Sequence, residues 1–349
     1  MNSEGMKLRS LHIEDYKMFK DFDIDFVDSD GEPLPIVVLA GVNGSGKTTL
    51  LEYLSGDDKE VVIKKDISGS KLNIKTNTNP LITATEYNIK KQQWELHKLR
   101  FIYLPVGANK IENIKETIKQ KYLDRSFEID KPSEALQELQ DFISTVFKGL
   151  KLTFNLSSIH YTKNIVLFKD NNGNEFDIDK LSTGEKTLLS KVLYLFFQDY
   201  KNKVILIDEP ELSLHPSWQN RVLKIYENFA IANNCQVIIA THSPHIVGSA
   251  KSESLRILKK VDDKVEVFKY SQSYGFEFSK VLTDIMDVEY LRTPEVGKRL
   301  AKVKSMIVSN EFDSKNFKDE WKELESLLGE KNLDLKLLKL EIASRKKNV

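Results

Sequence analysis

One stretch limits the folds open to this chain more than any other: Gly41-Val-Asn-Gly-Ser-Gly-Lys-Thr48, set between the apolar run Ile36-Val-Val-Leu-Ala40 and a helical pattern through Leu50, Leu51 and Leu54. Glycines at that spacing, after a strand and before a helix, let successive backbone N–H groups turn inward around phosphate oxygens. The positive end of the helix dipole adds to the field there. Asn43, Gly44, Ser45, Gly46, Lys47, Thr48 and Thr49 are therefore candidate nucleotide-binding residues. Lys47 is placed to reach the β- and γ-phosphates, and the Thr48 hydroxyl to ligate Mg2+. The bland alternative is a glycine-rich strand-to-helix turn without a ligand. Eight residues in register with both flanking elements favour the phosphate cradle.

Three more short apolar runs read as strands buried on both faces: Phe101-Ile-Tyr-Leu104, Val204-Ile-Leu-Ile207 and Gln236-Val-Ile-Ile-Ala240. Continuous runs without alternation are what a parallel sheet covered by helices requires, so the fold class is α/β. Leu8 to Ile13 and Phe22 to Phe26 alternate instead and predict a flanking antiparallel β-sheet. The stretch of about residues 56–98, with pieces such as Leu72-Asn-Ile-Lys75, reads as an inserted β-rich segment.

An inserted helical lobe of about residues 108–150 follows from two amphipathic patterns, Ile111, Ile114, Ile118 and Tyr122, then Leu136, Leu139, Ile143 and Val146 ending at Gly149. Asn171-Asn-Gly-Asn174 turns a hairpin between Ile165–Phe168 and Phe176–Ile178. The domain reading is one head over 1–275 and a C-terminal helical region over 276–349. Thr293-Pro294 opens the first of its longer helices, which carries Val296, Leu300, Val303 and Ile307 on one face. A second helix stops at Gly329, and a third carries Leu335, Leu338 and Ile342. The last piece, Lys331 to Val349, has six basic and two acidic residues. A solvated helix face explains that charge better than a nucleic-acid contact.

Asp208 and Glu209 end the run Val204–Ile207, at the carboxyl edge where α/β sheets present ligands. Asp208 is the candidate second Mg2+ ligand beside Thr48. Glu209, aimed differently, is the candidate for polarising an attacking water. Alone, such a pair is an ordinary loop carboxylate pair; coupled to the cradle it acquires a division of labour.

Composition excludes several classes. The 349 residues carry 52 basic and 52 acidic side chains, with 40% hydrophobic and 30% charged residues, a balance that disordered scaffolds lack. A single cysteine, Cys235, excludes a disulfide framework and a multi-cysteine metal site, and predicts a cytoplasmic location. No apolar run approaches the roughly 18 residues of a membrane span, and Met1 to Met6 lacks a signal-peptide core, so no membrane partner is expected. With zero net charge, nucleic-acid contact requires a local basic surface.

The cradle and the carboxylate pair, together with Leu181-Ser-Thr-Gly-Glu-Lys186, Glu211-Leu-Ser-Leu-His-Pro216 and Ala240-Thr-His-Ser-Pro244, resemble the ABC-type ATPase heads among P-loop NTPases, in that family's order. The opening Leu11-His-Ile-Glu-Asp-Tyr-Lys-Met-Phe19 and the Ser-Thr-Gly-Glu-Lys form of the signature look like the RecF, SMC and OLD-like group, over roughly residues 6 to 260. The helical tail looks like that of small bacterial AAA-type ATPases in anti-phage defence systems.

The resemblance implies ATP and Mg2+ as cofactors and a head-to-tail homodimer. Ser182, Thr183, Gly184 and Glu185 of one copy would close on the γ-phosphate held by Lys47 of the other. Glu209 would orient water, His242 would touch the γ-phosphate, and hydrolysis would release the pair. Ser182-Thr-Gly-Glu is also a common helix cap, and His242 could be a structural histidine. The other histidines, His12, His97, His160, His215 and His245, show no metal-ligand spacing. One departure stands out: where such heads place a glutamine after the strand that follows the cradle helix, this chain has Pro105-Val106-Gly107, and Gln92 and Gln93 precede that strand. The expected consequence is either slow hydrolysis or coupling to the helical lobe through another residue.

The leading functional reading is an ATP-gated, dimerising switch or clamp linked to nucleic acid. It would control a partner effector, a nuclease or toxin on a separate chain, because no second acidic α/β pattern follows His242. The alternatives are a RecF-type repair ATPase and, third, the ATPase subunit of a membrane transporter.

Overall fold

Strands β1 (Leu8–Tyr16) and β2 (Phe19–Asp25) alternate buried and exposed positions, whereas all five residues of β3 (Ile36–Ala40) are buried. That contrast separates two layers. A computed structural model describes residues 7–55, 72–76, 82–84, 101–107, 113–148, 154–160, 162–170, 172–197, 200–270, 275 and 278–347. Along the chain the strands continue as β4 (Leu72–Thr76), β5 (Ile82–Ala84), β6 (Phe101–Leu104), β7 (Phe154–His160), β8 (Ile165–Asp170), β9 (Glu175–Asp177), β10 (Val204–Asp208), β11 (Gln236–Thr241), β12 (Leu255–Val261) and β13 (Lys264–Phe268). The helices are α1 (Lys47–Ser55), α2 (Ile114–Ile129), α3 (Pro132–Val146), α4 (Thr183–Phe197), α5 (Pro216–Ala232), α6 (Pro244–Ser249), α7 (Pro294–Val308), α8 (Lys315–Leu328) and α9 (Leu333–Lys347).

The core sheet runs β13-β12-β3-β11-β10-β6, parallel throughout except for the antiparallel β12–β13 edge. A second, antiparallel sheet runs β2-β1-β4-β5, and a third joins β7-β8-β9. The α/β class, the flanking sheet and the hairpin at Asn174 follow the sequence reading. Most of the expected β-rich segment of about 56–98 lies outside the described residues, as do Gln92, Gln93, Ile111 and Gly149.

Helix α1 explains how the cradle is held. Its Leu50, Leu51, Tyr53 and Leu54 join one buried cluster with Leu8, Leu11 and Phe22 of the flanking sheet and Leu39, Leu206 and Ile238 of the core sheet. Burial of four side chains at roughly 1.5–3 kcal/mol each fixes the helix, and with it the loop that precedes it. Two buried polar side chains tie the layers. Gln236 accepts from Leu8 N at 2.7 Å and donates to the Leu8 and Leu34 carbonyls. Arg256, 1% exposed, donates to the Asp25 carboxylate at 2.7 Å and to the carbonyls of Asp25 and Val27.

Arg256 is also why β12 is hard to see in the sequence, since a buried guanidinium interrupts the apolar run Leu255-Arg-Ile-Leu258. The turn after it, Asp262-Asp263, has φ of 43° and 64°, positive at both positions as a two-residue hairpin of the I′ kind demands.

The chain divides into two units, Met1–Val281 and Leu282–Val349. In the second, Leu300, Val303 and Ile307 of α7 pack with Phe317 and Leu324 of α8 and with Leu335 and Leu338 of α9. Ser314 caps α8 at one end and Gly329, with φ of 79°, closes it at the other. No helix among the described residues is long and apolar enough to cross a membrane.

Candidate functional site

The glycine loop leaves β3 in the middle of the core sheet and enters α1 between the two sheets. Space as well as conformation demands two of its glycines. At Gly41, φ is 151° and a Cβ would lie 2.4 Å from the Leu258 carbonyl oxygen. At Gly46, φ is 95° and a Cβ would meet Met18 Sδ at 2.8 Å and the Phe19 ring at 2.9 Å. The β1–β2 turn therefore presses directly on the back of the loop. Asn43 and Gly44 at the tip are exposed, while Ser45 is buried with no hydrogen-bond partner for its hydroxyl among the described residues.

Lys47 is 6% exposed and folds over the loop, donating to the carbonyls of Gly41 at 2.8 Å and Val42 at 3.1 Å. Burial pulls its pKa down, and Glu209, Asp208 and Glu211 pull it back up. Three carboxylates within electrostatic reach of one buried ammonium make this a charge-dense pocket. Thr48, exposed, donates its hydroxyl to Asp208 Oδ2 at 2.8 Å. Asp208 is 1% exposed, and its Oδ1 has no hydrogen-bond partner among the described residues. Burial raises the Asp208 pKa against the opposing pull of Thr48 and Lys47. A hydroxyl and a carboxylate at hydrogen-bond distance, with one buried carboxylate oxygen unpaired, form the hard-oxygen donor set that Mg2+ takes. The residues fit the ion.

Glu209 leaves β10 in the left-handed region, with φ of 49°, while its N–H donates to the Ala240 carbonyl. That conformation is uncommon for a side chain with a Cβ, and it turns Glu209 away from the direction of Asp208. Its Oε2 meets His242 Nδ1 at 2.5 Å. His242, just past β11, keeps half of its side chain exposed, so Glu209 and His242 form a pair at the open rim of the pocket.

Sequence reasoning missed Glu211 as a site residue. Its Oε1 accepts from Thr241 Oγ1 at 2.5 Å, from Ser243 N at 3.0 Å and from His242 N at 3.3 Å. One carboxylate thus fastens the segment that bears His242 to the loop that bears Glu209. Burial, then hydrogen bonding to Glu209 and the charge of Glu209, push the Glu211 pKa up to about 7. The signal was available in the sequence: a third acidic residue two positions beyond the pair, before a strand that ends at Thr241 and is followed by His-Ser.

Glu211 ties the folded state to pH. Its folded pKa lies above the unfolded one, so near pH 4.5 and below it adds no penalty, and stability falls as pH rises from there through about 7. Glu211→Gln keeps an acceptor for the three donors and mimics the protonated acid. We expect this variant to be more stable than the parent at pH 8 by on the order of 2 kcal/mol, and so to melt higher there, with the two melting temperatures converging toward pH 5. Parallel pH profiles in differential scanning calorimetry would contradict the assignment.

Ser182, Thr183, Gly184 and Glu185 stand elsewhere in the unit. Helix α4 packs on α5 and α2, whereas α1 packs on β6, β10 and β11. Ser182 Oγ accepts from Glu185 N at 3.3 Å and donates to Glu185 Oε2 at 2.7 Å, and the same oxygen accepts from Ser182 N at 2.9 Å. This is a reciprocal capping box. Ser182 and Thr183 are exposed, so the corner faces solvent and its donors are taken by a carboxylate of its own helix. Gly184 backs onto Trp218 of α5, where a Cβ would sit 3.3 Å from the indole. His215 caps α5, accepting from Ser217 N at 3.3 Å, which gives it a structural role. His12 lies 3.0 Å from Asp23 on the surface of the flanking sheet.

A glycine cradle between a parallel strand and a helix, with a paired threonine and aspartate beside it, defines a P-loop nucleotide-binding head. More narrowly, the chain belongs to the AAA ATPase family described as "AAA domain, putative AbiEii toxin, Type IV TA system", which matches residues 68–248, while a second description, "AAA ATPase domain", matches residues 6–103. It is 26% identical over 210 residues to a retron Vc95 probable ATPase of Vibrio cholerae, covering 56% of this chain and 39% of that protein. It is 29% identical over 217 residues to the Septu protein PtuA of Bacillus thuringiensis, covering 56% and 53%. An OLD nuclease of Thermus scotoductus is 32% identical over 92 residues, covering 26% of this chain and 17% of that one. The chain thus spans about half the length of these relatives or less. Among solved structures, the SMC head domain from Thermotoga maritima aligns with 76% of this chain and all of its own at 14% identity, with a TM-score of 0.46. The similarity to an OLD nuclease agrees with the OLD-like character of the motifs.

Proposed function

We propose that the chain is a Mg2+-dependent ATPase switch whose active site is completed by a second copy. ATP lies in the glycine loop, with Lys47 on its β- and γ-phosphates and Thr48 and Asp208 holding the ion. Mg2+, when bound, would offset negative charge on the β- and γ-phosphates. Glu209 accepts the proton of the attacking water, and His242 holds Glu209 in position. The serine corner of a second copy, Ser182 to Glu185, closes on the γ-phosphate, displacing the Glu185 carboxylate that fills it in the free chain. The observation that supports this reading is the pairing of a charge-dense pocket with an exposed serine corner, capped by Glu185, on a differently packed helix of the same unit.

Closure and release make a two-state element whose populations ATP controls. The resemblance to defence-system ATPases is supported by the similarity to retron ATPases and Septu PtuA, and in this reading the chain acts in anti-phage defence, controlling a separate effector such as a nuclease or toxin. A nucleic-acid trigger would show as ATPase stimulation by DNA, with log affinity falling linearly in log salt.

Ser182→Arg tests the composite site. Bulk and charge at an exposed corner block closure without touching the cradle. Turnover should fall by at least ~10²-fold, while ATP affinity measured by equilibrium dialysis changes little. Unchanged turnover would remove the corner from the reaction.

A further inference from the structure

Helix α9 is apolar on two sides. Leu335 and Leu338 are buried with α7 and α8, and Ile342 packs against them. On the opposite side Leu333, Leu337 and Leu340 are 69%, 55% and 67% exposed. Their spacing of four residues and then three is that of a coiled-coil seam, assigning Leu333 and Leu340 to d positions and Leu337 to a. Ser344 follows at the next a position. The outer stripe therefore has the register of a helix partner that the chain itself does not supply among the described residues.

The charges beside the seam say what that partner is. In this register Lys336 is at g, and Asp334 and Glu341 are at e. In a parallel pair, each g position faces the e position five residues further along the other helix. Lys336 of one copy then meets Glu341 of its mate, twice over by symmetry. An antiparallel pair would instead set g against g and e against e, bringing lysine to lysine and carboxylate to carboxylate. The stripe is self-complementary in one orientation only.

We infer that α9 pairs in parallel with α9 of a second copy through Leu333, Leu337 and Leu340, and that this contact needs no nucleotide. Two heptads are too short to hold a pair of isolated peptides, because such helices are marginal in water. Here α9 is already folded against α7 and α8, so pairing does not have to order it. Glu341 is exposed and, among the described residues, pairs within its own helix with Arg345, which leaves it able to share a second cation.

The test is sedimentation equilibrium on the full chain without nucleotide, where head closure contributes nothing. The parent protein should be dimeric, and Leu337→Glu with Leu340→Glu should be monomeric while melting like the parent, since both side chains are exposed. Lys336→Glu should weaken the dimer by at least ~10-fold, and Lys336→Glu combined with Glu341→Lys should restore it. Ser182→Arg should leave this dimer intact, so the contact and the composite ATP site fail separately. A parent chain that is monomeric without nucleotide, a dimer indifferent to the two glutamates, or a charge swap no better than the single reversal would each overturn the inference.

Discussion

Lys47→Ala weakens ATP binding by at least ~10²-fold, the loss expected when a charge-assisted contact to two phosphates is deleted from a low-dielectric pocket. The ammonium is buried and held by the Gly41 and Val42 carbonyls, so it stands ready where the phosphates arrive. Its removal also leaves Asp208, Glu209 and Glu211 without their shared cation, and their mutual repulsion then opposes an incoming triphosphate. Titration with a fluorescent ATP analogue, in Mg2+ and then in excess chelator, reads the effect directly. An affinity within tenfold of the parent would mean that the glycine loop is only a structural turn.

Glu209→Gln separates binding from chemistry. The amide matches the carboxylate in size but cannot accept a proton from water, so the rate of the chemical step should fall by about 10³-fold, within the span of general-base catalysis. ATP stays bound, because Glu209 is not among the groups that hold the phosphates. Single-turnover measurements should therefore show uncleaved ATP persisting on the protein. If ATP were cleaved at the parental rate, the proton would have to go elsewhere, and Glu211, bonded to the same segment, would be the next candidate.

The legible parts of this chain are those in which chemistry and backbone demand coincide. The glycine loop could be read because a phosphate cradle restricts both φ and space, and Gly41 and Gly46 have no room for a Cβ. The buried strands could be read because a sheet covered on both faces tolerates no polar alternation. Glu211 escaped because its part depends on three donors brought in from the end of a strand and the turn after it, 30 to 32 residues away, a pairing without local periodicity. Arg256 hid β12 for the related reason that a buried cation is stable only with partners supplied by another layer. The serine corner was legible as a motif, but its occupation by Glu185 is a matter of side-chain geometry.

The most direct measurement joins two chains chemically. Asn43 at the loop tip and Ser182 at the corner are both exposed, and the only native cysteine, Cys235, is fully buried, with its thiol pKa raised by that burial, so it reacts poorly. In a Glu209→Gln background carrying Asn43→Cys and Ser182→Cys, a short thiol-to-thiol linker should yield a covalent pair at twice the chain mass on a denaturing gel, with Mg2+ and ATP present and not without them. A linker that bridges the two cysteines only within one chain, or that joins chains equally well without nucleotide, would contradict the account.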